Sequence, residues 1–125
     1  MTIVLICRDL LFISRIQSAF RKAGAEVLAV PKVDDVRLGG VAADEVVGCL
    51  VDLSGIPAGD IPTTIQGLRE KFPQVNVLAF CPHVATEKIA AAQQSEAAAV
   101  MTRGQFDRAL PTIVAHWTQP DAAAE

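Results

Sequence analysis

The sequence predicts a single α/β domain, a parallel β-sheet covered by helices on both faces. Three observations carry this reading. Strand-like and helix-like segments alternate five times with no internal linker, the order that right-handed strand-helix-strand crossovers produce. The central apolar run, Gly48-Cys49-Leu50-Val51, closes on one carboxylate, Asp52, and breaks at once into Gly55 and Pro57, as a buried strand does when it delivers an acid to its C-terminal end. With 125 residues, 51% of them hydrophobic, the chain can bury a sizeable core without disulfide or metal.

The elements follow in order. Residues 3–7 are an apolar run ended by Arg8-Asp9, and Asp9 suits the N-cap of a helix whose Phe12, Ile16, Ala19, Phe20 and Ala23 keep helical spacing. Gly24 ends that helix. Residues 26–30 form a second strand closed by Pro31; residues 34–40 and 41–47 give only a weak helical signal, interrupted by Gly39-Gly40, and predict one short helix. After the central strand, Asp60 is the expected cap of a helix with Pro62 in its first turn, with Ile61, Ile65, Leu68 and Phe72 on one face, and with Pro73 as its stop. Residues 75–81 form the fourth strand. An Ala-rich helix over 86–95, anchored by Ile89, leads to a fifth strand over 97–102. Arg103-Gly104 reads as a turn, after which Asp107 caps a last helix over 108–117, with Pro111 in its first turn and Leu110, Ile113, Val114 and Trp117 toward the sheet. The domain is expected to span 1–118, with a disordered tail over 119–125.

Composition excludes several classes. A net charge of −3 with scattered Lys and Arg leaves no basic face for nucleic acid. The apolar runs are strand-sized, and the one nearest the start lacks the basic lead-in and length of a signal peptide, so a cytoplasmic protein without membrane contact is expected. Cys7, Cys49 and Cys81 each lie in or at the end of such a run and read as reduced, buried thiols. No Gly-x-Gly-x-x-Gly, hydroxyl-rich first loop or Asp-x-His-x-x-Gly is present, which argues against a dinucleotide, flavin or cobalamin enzyme. Cys81 with His83 lacks the further ligands a metal pair needs, and His83 reads as a solvated loop residue.

In an open parallel sheet, ligands and chemistry sit at the C-terminal ends of the strands. Those ends bring together Cys7-Arg8-Asp9, Pro31, Asp52, Cys81 and Thr102-Arg103. Asp52 can equally serve there as a cap for the turn that follows it. An acid ending strand three, a small residue ending strand four and a long basic residue 22 positions after Cys81 resemble the receiver domain of bacterial response regulators, over nearly the whole chain from Thr2 to about Trp117. The Ile56-Pro57 pair after Asp52 shares in the resemblance, one residue later than usual.

The resemblance implies a flavodoxin-like sheet of strand order 2-1-3-4-5 and a chemistry of Mg²⁺-dependent phosphoryl transfer from a histidine kinase to the strand-three aspartate. By position, Asp52 matches that acceptor, Cys81 stands where the family has Thr or Ser, and Arg103 where it has Lys. The family's two metal-holding acids after strand one are replaced by Cys7 and Arg8, with Asp9 one place late. Val100 stands where many members have the switching Tyr or Phe. With Asp52 facing Arg8 and Arg103, the site is about neutral even counting Asp9, so Mg²⁺ binding is not expected and phosphorylation is expected to be weak or lost. A standing Asp52–Arg103 contact is expected instead. Asp52→Ala is expected to cost more than Arg103→Ala, since it strands Arg103 beside Arg8.

The leading functional reading is therefore a non-catalytic pseudo-receiver in two-component-type signalling, acting through a protein partner or a homodimer. In the family the surface of helix four, strand five and helix five serves this purpose, here residues 87–96, 98–102 and 107–117, with Ile89, Gln93, Val100 and Arg108 as candidate contacts. The Ala residues there, Ala90 to Ala92 and Ala97 to Ala99, equally suit a tight helix-on-sheet packing. At this length no attached output domain is expected. The alternative is a small anionic-ligand domain in which Arg8 and Arg103 hold a phosphate or nucleotide.

Overall fold

The computed structural model describes residues 1–119 except His83, Glu96 and Ala98, so the loop reading of His83 and most of the expected tail lie outside the described residues. Its five strands are β1 (Thr2–Ile6), β2 (Glu26–Val30), β3 (Val46–Asp52), β4 (Val77–Cys81) and β5 (Ala99–Thr102). All neighbours are parallel, in the order β2-β1-β3-β4-β5. The helices are α1 (Leu10–Arg21), α2 (Ile61–Lys71), α3 (Thr86–Gln94) and α4 (Arg103–Trp117).

Alternation of side chains across the strands divides the core in two. Ile3, Leu5, Leu50 and Phe80 bury against Phe12, Ile16 and Phe20 of α1 and Phe106, Leu110 and Ile113 of α4. Val4, Ile6, Cys49, Val51 and Ala79 bury on the opposite face against Ile61, Ile65 and Leu68 of α2 and Ala92 of α3. α1 starts where Asp9 Oδ1 accepts from the amides of Leu11 and Phe12 at 3.1 and 3.2 Å, the capping its sequence implied. It ends at Arg21 with Lys22 as its C-cap, and the turn that follows closes on Gly24, whose φ of +86° suits glycine at low cost.

Two expected elements differ from the structure. The β2-to-β3 connection holds no α-helix among its residues, only 3₁₀ turns at Val36–Gly40 and Ala43–Glu45. Asp35 caps the first and chelates Arg37 through two side-chain bonds of 2.9 and 3.0 Å, and Gly39-Gly40 then withdraws helix propensity. The last helix begins at Arg103, not after Asp107, and Pro111 lies in its interior. Thr102 Oγ1 accepts from Gln105 N at 3.1 Å while Gln105 Oε1 accepts from Thr102 N at 2.9 Å, a capping box that converts the apparent Arg103-Gly104 turn into a first helical turn. Asp107 instead meets Arg15 of α1 at 2.8 Å. Asp60 does stand at the N-cap of α2, but its carboxylate makes no capping bond. The fourth strand is two residues and α3 one residue shorter than the pattern implies.

One close approach holds α4 to the sheet. Register skips Val47 between the pairs Thr2–Val46 and Ile3–Gly48, a bulge that turns Gly48 toward the α1/α4 face. The Trp117 ring lies where a side chain at position 48 would begin, stacked on Phe20 at 6.3 Å between centroids.

Candidate functional site

β3 carries Asp52 to the sheet's C-terminal edge, where its side chain is only 3% exposed. A carboxylate taken that far from water must have its lone pairs satisfied by the protein, and here all are. Oδ1 accepts from Ser54 N at 3.0 Å and from Ser54 Oγ at 2.7 Å. Oδ2 accepts from Cys7 Sγ at 3.3 Å and from Arg103 Nη2 at 3.1 Å. The turn-capping role and the ion-pair role thus coexist, one on each oxygen.

Arg103 reaches Asp52 because the capping box fixes it as the first residue of α4. Its guanidinium also lies 3.6 Å from Asp9 Oδ2 and rests on the Phe12 ring, 4.4 Å from the centroid, a face that attracts a cation. Phe12 is in turn held edge-on against Phe80 at 5.2 Å. The cation is therefore seated by two carboxylates and an aromatic face, at 35% side-chain exposure. Its Nε is buried without a hydrogen-bond partner.

Cys7 acts as a neutral donor. Burial above all, with the negative charges of Asp52 and Asp9 adding to it and a backbone hydrogen bond at Asp9 opposing it, pushes its thiol up to about 12. Its proton therefore stays in place near neutral pH. Cys49, deep in β3, is pushed up to about 12 by burial, and Cys81 is raised by burial and then by Asp52. All three are free thiols. Cys81 Sγ faces the Pro82 carbonyl at 3.3 Å and lies next to Phe80, the β4 partner of Asp52.

One expected member is elsewhere. Arg8 does not face Asp52: it makes no ion pair with a described residue and runs along Gly55, with Cδ 3.5 Å from where a Cβ would stand. After β1 the chain places Cys7 inward and Arg8 outward, so consecutive residues diverge. Arg8 lines a cavity that Arg103 does not line, so the structure gives no support to the joint Arg8–Arg103 anion site of the alternative reading. Thr102 serves the capping box, and Ile89 and Val100 pack against the core while Gln93 and Arg108 are exposed. Ala92 is buried in the core, Ala91 and Ala97 pack against that core, and Ala90 is exposed. Ser54, Phe12 and Lys88 were not singled out as site residues. Lys88 of α3 donates to the Ser54 carbonyl at 3.1 Å and ties the turn after Asp52 to α3. A serine two places after a strand-ending acid is the signal for the Ser54 contact; nothing local signals Phe12 or Lys88.

A divalent cation does not fit this donor set. Asp9 is turned to cap α1, a guanidinium stands beside both Asp9 and Asp52, and no group of three or more His, Cys, Asp or Glu converges among the described residues. Magnesium takes about six oxygen ligands around one centre.

No family model matches the chain, and no curated protein matches it in sequence. Solved structures do match in fold. A CheY-like protein, TadZ, from Pseudomonas aeruginosa is 14% identical, with a TM-score of 0.73 over 95% of this chain and 94% of its own. A response regulator receiver domain protein from Clostridium thermocellum is 12% identical, with a TM-score of 0.73 over 99% of this chain and 98% of its own. CpaE from Burkholderia thailandensis, assigned to pilus assembly, is 13% identical, with a TM-score of 0.68 over 94% and 97%. The chain has the receiver fold, with the strand order 2-1-3-4-5.

Proposed function

We propose that this chain is a receiver-type signalling module held in one state, a non-enzymatic domain that recognises a protein partner or a second copy of itself instead of relaying a phosphoryl group. The observation behind the reading is the closure of Asp52: a carboxylate has about four lone-pair positions, and Ser54, Cys7 and Arg103 fill them. An acceptor needs a free oxygen lone pair in line with the incoming phosphorus, and developing charge needs a cation free to follow it. Arg103 is instead committed to Asp52, Asp9 and Phe12. Recognition would fall to the flanks of β5, where Gln93 and Arg108 offer exposed polar contacts. Among the described residues no helix is long and apolar enough to cross a membrane, which suits a domain that works by docking.

Calorimetry with Mg²⁺ tests the reading. The unaltered protein is expected to give no binding heat at millimolar Mg²⁺. Because position 8 points away over Gly55, the change that rebuilds a metal site is Cys7→Asp with Arg103→Lys, which places a new acid beside Asp52 and Asp9, and this variant is expected to bind. Saturable Mg²⁺ binding by the unaltered protein would overturn the closed-site reading.

A further inference from the structure

A second feature of the same sheet edge lies apart from Asp52. A cavity of about 330 Å³ opens between the ends of β1, β2 and β3 and the first turn of α2. Val33, Ile56 and Pro57 give it an apolar wall. Arg8, Lys32, Asp34 and Asp60 give it charge of both signs. None of these four side chains makes an ion pair or side-chain hydrogen bond among the described residues. All four are exposed, as are other charged side chains without an ion pair among the described residues, such as Arg21, Glu70 and Glu87, so it is their placement around one concavity that sets them apart. Four unengaged charges around one concavity, at the edge where open α/β sheets bind ligands, form an amphoteric lining that awaits a complementary molecule.

We propose that this cavity binds a nucleoside monophosphate. Its volume lies at the lower end of small-ligand pockets. Arg8 and Lys32 match a phosphate, and the arginine's planar fork suits its oxygens. Asp34 and Asp60 would repel a bare anion, but they accept from the hydroxyls of a sugar. The apolar wall takes the flat face of a base. A simple anion leaves the carboxylates and the wall unused; an apolar ligand leaves all four charges unused. The proposal goes beyond the signalling reading and does not depend on the state of Asp52.

The test is amide NMR of the full chain titrated with AMP, and separately with inorganic phosphate and with adenosine. AMP is expected to shift the amides of Lys32, Gly55 and Thr63 and to bind about tenfold or more tightly than either fragment. Arg8→Ala, at an exposed position, is expected to weaken AMP by about tenfold or more without altering the rest of the spectrum. Three results would each overturn the proposal: no shift at millimolar AMP, phosphate binding as tightly as AMP, or shifts centred on Asp9 and Arg103 that survive Arg8→Ala.

Discussion

Arg103→Ala is expected to destabilise the fold by about 2–3 kcal/mol, more than any other single change at the site. The two partners are unequally placed. Asp52 is 3% exposed and Arg103 35%, so removing the arginine leaves a buried anion without its cation, whereas removing the aspartate leaves a partly solvated cation that keeps Asp9 and Phe12. Solvent screening at Arg103 holds the figure below that of a fully buried pair. Arg103→Lys is expected to cost about 1 kcal/mol, since it keeps the charge and loses the planar fit. Asp52→Asn added to Arg103→Ala is expected to recover part of the loss by removing the stranded charge. Urea midpoints of the four proteins decide it; a double variant less stable than Arg103→Ala alone would contradict this account.

The ordering of those effects reverses what the sequence suggests, and the reason is Arg8. Sequence places Cys7, Arg8 and Asp9 at one strand end but does not say which way each side chain leaves it. Had Arg8 faced Asp52, loss of the aspartate would have set two cations together; with Arg8 over Gly55, it does not. The alternation of strands and helices and the Asp9 cap were legible because they rest on periodicity and a capping residue, whereas the strand order and the reach of Arg103 to Asp52 were implied by the resemblance to receiver domains. The start of α4 was legible in principle, as Thr102-x-x-Gln105, but Arg103-Gly104 masked it. The seat of Arg103 on Phe12 was not legible, because it joins residues from two elements that only the packed core brings within 4.4 Å.

Gly48→Val is the second large effect, with an expected loss of about 2–4 kcal/mol, and Gly48→Ala about half of that. Gly48 is buried in β3, and a Cβ there would enter the Trp117 ring. The ring must leave its stack on Phe20 and take the last turn of α4 with it. Trp117 is the only tryptophan of the chain, so its fluorescence reports the displacement directly. In a Trp117→Ala background the same glycine change is expected to cost little, because contacting residues do not add. Equal costs in the two backgrounds would show that strand geometry, not the ring, makes position 48 sensitive.

The closure of Asp52 is tested most directly by intact-mass spectrometry of the purified protein after incubation with acetyl phosphate and Mg²⁺. With Arg103, Cys7 and Ser54 occupying the carboxylate and no seat for the metal, the mass is expected to remain unchanged while a phosphorylatable receiver in the same tube gains one phosphoryl group. A Mg²⁺-dependent gain of one phosphoryl group that disappears in Asp52→Asn would contradict the account.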